Sequence, residues 1–316
     1  MFNKFYRIES NFFLMNYQKL TFEDIMQTKI LYFDNEVKEA CLDICDTLKI
    51  DTMPDYYSKN YHELTDRNFI EKQIVESLKL QINDRIFEIQ NIEKFKNNKH
   101  NVLYVFAGNV LKGIVHFADY NANVVLKRIQ DDVLNFEMNL REFLVLNGKT
   151  NTDIKNYYEY KLLKEKNEVN KCFYEEKLNN FSRKENEIKV LGQFQIFELS
   201  VLMNYCNSSY SNKLFMFEKT AKCNKNNDND IISSLRNMVM HGKNPIEKDT
   251  DSSIFSIDSL YKFQESLTIL KDYNSKLEEL IFNNSDYQLS VKLENQSKLK
   301  IIHEHHPRAL KYFIGN

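Results

Sequence analysis

A long run of apolar residues at helical spacing constrains the fold of this 316-residue chain more than any other feature. Between Val124 and Leu146, apolar side chains recur every three or four residues, which predicts one long α-helix with a single buried face. Asn147-Gly148 then predicts its end. Similar spacing predicts helices over 152–180, 190–205 and 257–282, so we expect the second half of the chain to be all helical.

The preceding segments are shorter and mixed. A short apolar run at 30–33, a helix from about Glu36 to Leu48, and a strand and turn at 50–57 predict a β-α-β beginning. A helical stretch is predicted for 69–80. Residues 102–106 and 110–116 are rich in β-formers and flank Ala107-Gly108-Asn109, which predicts a hairpin. We therefore expect an α+β protein, in which a mixed α/β N-terminal domain precedes an all-α bundle.

Charge, cysteine usage and hydropathy argue against a strongly basic nucleic-acid-binding protein, a disulfide-rich protein and a membrane protein. The 43 basic and 45 acidic side chains leave a formal charge of −2, so any RNA-binding site must be a local patch. Five cysteines without paired spacing argue against a disulfide framework and favour a reducing compartment. No apolar run reaches 18 residues. We expect a cytoplasmic protein with no membrane segment.

The segment 228–245 carries the clearest chemical motif. Its apolar residues predict a short helix that begins at Asp230 as N-cap and ends at Gly242 and Pro245. Arg236, Asn237 and His241 lie on this helix as R-N-x-x-x-H, which places the amide and the imidazole one turn apart. An imidazole can transfer protons near neutral pH and a guanidinium can hold charge on a phosphoryl group, so the trio suits RNA cleavage without a metal. Alternatively, the three side chains cap carbonyls and meet water.

The residues from Leu235 to Asn244 resemble the R-(x4–6)-H motif of the HEPN superfamily, which comprises all-helical domains of bacterial RNases, toxins and anti-phage systems. The resemblance covers roughly residues 122–282. It implies that Arg236 stabilises the phosphorane, that His241 is the general acid or base, that Asn237 orients one of them, and that a homodimer brings two motif helices together. RNA is the implied substrate.

Two further parts of the helical region are supporting candidates. Glu137 and Arg141, one turn apart, resemble the Glu and Arg of the long first helix of HEPN domains, and the alternative is an ordinary surface ion pair. Glu198 lies on a strongly apolar helix, where it is either an edge residue or a partner for Arg236 or His241.

Residues 102–121 resemble the end of a CBS module, a nucleotide-sensing unit, and Asp24-Ile25-Met26 and Asp51-Thr52-Met53-Pro54 are similar to its entrance and middle. The resemblance covers roughly residues 21–121. It implies a ligand site at Gly113, His116 and Asp119, with Asp119 on a ribose and an adenine nucleotide or cyclic oligonucleotide as effector. His116 stands where Thr or Ser is usual, although a protonated imidazole can also meet an anion. The alternative role of Asp119 is a helix N-cap.

These observations predict three regions: a CBS-like sensor at 1–121, a HEPN-type domain at 122–282 and a tail at 283–316. In the tail, His303, His305 and His306 cannot all converge from one regular element, so we expect no metal there and no cofactor for catalysis. The predicted function is a ligand-regulated endoribonuclease of anti-phage defence or a toxin. The alternatives are a non-catalytic HEPN-type binding or antitoxin subunit and a helical scaffold with a fortuitous motif.

Overall fold

The described part of the chain contains eight α-helices and two three-stranded sheets, which make it an α+β protein. The structure is a computed structural model, and it describes residues 15–56, 59–96, 98–184, 191, 192, 194–196, 198, 199, 228–247, 256–284, 293, 294 and 297. Within them, no helix combines the length and the apolar character needed to cross a membrane.

The first sheet is antiparallel and follows two helices. Helices α1 (Phe22–Ile25) and α2 (Lys38–Leu48) precede strands β1 (Thr52–Pro54), β2 (Asn60–Thr65) and β3 (Asn68–Gln73), which pair in that order. The predicted helix at 36–48 is therefore confirmed as α2. The predicted strand at 30–33 is reduced to one parallel bridge between Phe33 and Asp55.

The predicted helix over 69–80 is wrong. That stretch contains β3, a 3-10 turn (Glu76–Leu78) and strand β4 (Lys79–Gln81). Asp66 and Arg67 both have positive φ, 50° and 61°, which makes the tight turn that folds β3 back onto β2. The apolar residues of 69–80 fit both a helical and a strand periodicity, and the stretch begins as a strand because β3 pairs with β2.

The second sheet is mixed. Strand β4 pairs in parallel with β5 (Val102–Ala107), and β5 pairs antiparallel with β6 (Val110–His116). Gly108, at φ 61°, makes the turn between β5 and β6, which confirms the predicted hairpin. Tyr61 on β2 and Tyr104 on β5 approach to 5.6 Å between ring centroids, and with Ile74 and Phe106 they form a buried cluster that joins the two sheets.

Long helices follow α3 (Ile89–Lys96). Helix α4 (Asn123–Leu146) has the predicted extent, and at its end the Lys149 N–H donates to Leu144 O at 2.9 Å beside Gly148, at φ 71°. The single helix predicted for 152–180 is instead two, α5 (Asn151–Lys164) and α6 (Glu168–Lys184). Asn167 interrupts it, because its Oδ1 accepts the N–H groups of Val169 and Asn170 and so caps a new helix.

Two helices complete the described part, α7 (Asp228–Met240) and α8 (Ile257–Phe282), and α8 has the bounds that its apolar spacing predicts. Most of the helix predicted for 190–205 lies outside the described residues. The loop expected at 206–229, apart from its last two residues, most of the strand expected at 288–293 and the three tail histidines also lie outside them.

The chain divides into two compact units. The first comprises Met1–Asp132 and Arg236–Leu267, and the second comprises Val133–Leu235 and Thr268–Asn316. The first unit buries large side chains such as Phe22, Phe95, Phe117 and Tyr120, and the second buries Phe136, Leu140, Tyr273 and Leu277. The domain boundaries expected at residues 121 and 282 stay predictions.

Candidate functional site

Helix α7 positions the motif residues through its buried face. Ile232, Leu235 and Val239 recur at helical spacing and are at most 4% exposed, so the opposite side of the helix is left to polar residues. The helix begins at Asp228, two residues before the expected N-cap Asp230. It ends at Met240, and Gly242, the predicted stop signal, has a φ of 62° that turns the chain away.

The end of α7 is held by hydrogen bonds on both sides of Gly242. The Gly242 N–H donates to Val239 O at 3.3 Å and the Lys243 N–H to Met238 O at 3.0 Å, the two bonds of a Schellman motif with His241 as C-cap. Downstream, the Asn121 side chain donates to Ile246 O at 3.0 Å and accepts from the Ile246 N–H at 2.9 Å. This anchoring fixes the backbone from which His241 projects.

Arg236, Asn237 and His241 form one edge of α7 in the first unit. Arg236 Nη1 donates to Asn237 Oδ1 at 3.2 Å, and the His241 N–H donates to Asn237 O at 3.2 Å. Asn237 and His241 are exposed, whereas Arg236 is half-buried and its Nε has no partner among the described residues. The edge therefore presents a cation, an amide and an imidazole to solvent without an acidic group in contact with them in the described part.

Glu137 and Arg141, in the second unit, form hydrogen bonds with backbone groups of Leu191, Phe194 and Ile196. Glu137 Oε1 accepts the Ile196 N–H at 3.0 Å and lies 3.4 Å from Arg141 Nη2. Arg141 Nε donates to Leu191 O at 3.0 Å, and its Nη2 donates to Phe194 O. Since the Glu137 side chain is only 6% exposed, the alternative of an ordinary surface ion pair does not hold.

Glu198, in the second unit, pairs with a lysine. Its Oε1 accepts from Lys177 Nζ at 2.9 Å, and the carboxylate is nearly buried. Burial, with Glu198 nearby, raises the pKa of Tyr158, whose hydroxyl has no partner among the described residues. The expected pairing of Glu198 with Arg236 or His241 joins residues of two different units and stays a prediction.

His116 and Asp119 are brought together by a capping box. The Asp119 Oδ2 accepts the His116 N–H at 2.8 Å, and His116 Nδ1 accepts the Ala118 N–H at 3.0 Å, at the start of the 3-10 turn Phe117–Asn121. Burial lowers the pKa of His116 and raises that of Asp119. A neutral imidazole is the form that accepts a hydrogen bond, whereas a phosphate would call for the protonated ring.

Gly113 lies close to Gln27, whose side chain contacts Asp119. A Cβ on Gly113 would lie 2.7 Å from Met26 Sδ and 3.0 Å from Gln27 O, so this glycine permits close packing of β6 on residues 26–27. The Gln27 side chain in turn donates to Asp119 Oδ1 at 3.0 Å. Both carboxylate oxygens of Asp119 are therefore engaged within the protein, and a ribose would have to displace Gln27 or share its acceptor.

A buried charge network in the first unit escaped the sequence analysis. Glu63, 4% exposed, accepts from Lys72 Nζ and from Lys99 Nζ at 3.0 Å, and His100 Nδ1 lies 2.7 Å from Asp51 Oδ2. Hydrogen bonds from the two ammonium groups lower the pKa of Glu63 to about 2, and the hydrogen bond with Asp51 raises that of His100. The five residues come from four separate segments, with only Lys99 and His100 adjacent, so no local spacing signals the network.

Metal ligation has no support in the part of the chain that the structure describes, where no three His, Cys, Asp or Glu side chains converge. His303, His305 and His306 lie outside that part. Comparison of the chain with protein-family models, with curated proteins and with solved structures finds no match.

Proposed function

We propose that this protein is a metal-independent endoribonuclease of the HEPN type, which acts in anti-phage defence or as a toxin. The observation that supports the proposal best is the edge of α7, where Asn237 and His241 are exposed one turn apart and Arg236 contacts Asn237 at 3.2 Å. The Schellman motif and the Asn121 contacts hold this edge in place, and a fixed position is what catalytic groups need.

The reaction would be transfer of a phosphoryl group to the neighbouring 2′-hydroxyl of RNA. A base removes the 2′-hydroxyl proton, the 2′-oxygen attacks phosphorus, the bond from phosphorus to the 5′-oxygen breaks, and an acid protonates that leaving oxygen. His241 is the acid or base, and Arg236 stabilises the charge on the pentavalent phosphorus. Asn237 has an amide N–H₂ group with which to orient the phosphate.

In an in-line displacement the attacking and leaving oxygens lie on opposite sides of phosphorus, so one imidazole can hardly serve as both the base and the acid. The proposal therefore includes a homodimer in which α7 of each protomer contributes its His241 to one shared site. Such a site is compatible with twofold symmetry, because the same edge of each protomer would face its equivalent.

Cleavage of RNA in the presence of EDTA tests the proposal directly. We expect the purified protein to cut single-stranded RNA with excess EDTA present and to leave 2′,3′-cyclic phosphate and 5′-hydroxyl ends, which end-labelling and mass spectrometry identify. Strict dependence on a divalent cation, or products with 3′-hydroxyl ends, would contradict this mechanism. RNA binding without cleavage would favour the alternative of a non-catalytic binding or antitoxin subunit.

Ligand regulation through the N-terminal region is a separate part of the proposal. It places an adenine nucleotide or cyclic oligonucleotide at Gly113, His116 and Asp119, and it is supported by the CBS resemblance together with the closeness of these residues around Gln27. Thermal-shift measurements with AMP and a cyclic oligoadenylate, on wild type and Asp119→Ala, test it. A nucleotide that raises the melting temperature of wild type but not of Asp119→Ala would support nucleotide binding here. If neither compound changes the melting temperature of wild type, this part of the proposal is excluded.

A further inference from the structure

A cavity of about 1220 Å³ opens on the first unit beside the first sheet. Its walls come from the stretch 32–38 that leads into α2, from Asp55 and Tyr56 after β1, and from His62, Phe69 and Glu71 on β2 and β3. Small-molecule sites typically enclose about 300–1,000 Å³, so the cavity is large enough for a small ligand.

Aromatic rings form one part of the wall. Phe33 stacks on His62 with 3.8 Å between ring centroids and lies 4.8 Å from Phe69, while Tyr32 and Tyr56 meet edge to face at 4.8 Å. Tyr56 is 63% exposed, although tyrosine has an apolar ring that gains from being covered. Phe33 and Phe69 pack on the buried cluster of Cys41, Cys45 and Met53. The exposed Tyr56 is therefore the ring with the most surface accessible to a ligand.

Carboxylates form the other part of the wall. Asp34, Glu36, Asp55 and Glu71 line the cavity, against one lysine, Lys38, and the imidazole of His62. Asp55 is occupied by His62 at 2.8 Å and Asp34 by the Glu36 N–H at 2.9 Å, while the exposed Glu36 carboxylate has no ion-pair partner among the described residues. The cavity is thus negative overall, which attracts cations and repels phosphates.

We propose that this cavity binds a small organic cation, with an alkylammonium or guanidinium group on an apolar stem. Aromatic faces attract such cations through the ring quadrupole, and carboxylates add hydrogen bonds and charge. The combination of four aromatic residues with an excess of carboxylates distinguishes this ligand class from a nucleotide, whose phosphates the same wall would repel, and from a bare metal ion, which has no use for the rings. The inference does not depend on RNA cleavage.

Calorimetric titration of the full chain with agmatine, which carries a guanidinium and an ammonium group on a four-carbon stem, tests the proposal. We expect binding that weakens as salt is raised, while AMP, an anion, does not bind in the cavity. Tyr56→Ala and Glu36→Gln should each weaken agmatine binding by about three- to thirtyfold, the range expected for one cation–π or charge contact. Both residues are exposed, so both variants should fold.

Glu39→Gln is the matched control, since Glu39 is exposed in the first turn of α2, three residues after Glu36, and is not among the residues lining the cavity. It should bind agmatine like wild type, and thermal unfolding of every variant checks the fold. Absence of binding at millimolar agmatine would overturn the proposal. Equal affinity in wild type and in both cavity variants, or loss of AMP binding in them, would overturn it too.

Discussion

Glu63 shows how much one buried carboxylate depends on its surroundings. Its pKa of about 2 lies below the ordinary value because Lys72 and Lys99 donate to its two oxygens, and Asp51 has a lowered pKa because of its hydrogen bond with His100. The native state therefore favours the ionised form of these two carboxylates more than the unfolded state does. The network connects β2 and β3 with the loops before β1 and β5.

The pH dependence of stability follows from these shifts. For Glu63 and Asp51 the stabilisation is present above the unfolded pKa values near 4 and is lost as the pH falls through their lowered folded pKa values, which is about 2 in the case of Glu63. For His100, whose pKa is raised, the stabilisation is present below about 6.5 and is lost as the pH rises through the folded value. We expect the contribution of this network to the free energy of unfolding, measured in urea, to be largest between about pH 4.5 and 6.5.

Glu63→Gln checks the origin of the acid limb. It replaces a buried carboxylate, which accepts hydrogen bonds from Lys72 and Lys99, with a neutral amide. Hydrogen bonds to charged groups are the stronger ones, so the variant should lower the free energy of unfolding at pH 6 by about 1–3 kcal/mol and should lose less stability than wild type below pH 4.5. Glu76→Gln is its control, since Glu76 also pairs with a lysine, Lys79, but is 84% exposed and should change stability by less than about 0.5 kcal/mol. If both variants lose the same stability below pH 4.5, Glu63 is not the origin of that loss.

At the scale of elements, helices α4 and α8 were predictable because their apolar spacing persists for more than twenty residues. The stretch 69–80 was not, since its strands form through pairing with β2 and β5 rather than through any local pattern. The same distinction applies to the sites. Arg236, Asn237 and His241 share one helix end and could be recognised in the sequence, whereas the walls of the cavity come from three segments that only the fold brings together.

The C-terminal turn of α7 links an element to the proposed activity. Gly242 has open space around the position of a Cβ, so Gly242→Ala strains only the backbone, at φ 62°, by about 1–2 kcal/mol. We expect lower thermal stability and reduced RNA cleavage, because His241 is the C-cap of this turn. Gly108→Ala is the control, with φ 61° and equally open surroundings in the β5–β6 turn. It should lose similar stability and keep full cleavage, and equal losses of cleavage would show that the turn has no special role.

At the scale of the whole molecule, the proposal requires two copies of the chain in each active species. Mixing equal amounts of wild type and His241→Ala, after exchange of subunits, leaves roughly a quarter of dimers with two wild-type copies. If one site needs both His241 residues, RNA cleavage should fall toward that quarter, while independent sites would retain about half. Sedimentation equilibrium measures the assembly alongside, and a fully active monomer would contradict the shared site.

The most direct test of the central claim is the rate of RNA cleavage by His241→Ala beside Asn244→Ala. Both residues are exposed near the end of α7, so neither variant should change thermal unfolding appreciably. Loss of a general acid or base costs about 10²–10⁴ in rate, so His241→Ala should reduce cleavage in EDTA by at least a hundredfold while Asn244→Ala cuts like wild type. A His241→Ala protein that cleaves RNA as fast as Asn244→Ala would contradict the account.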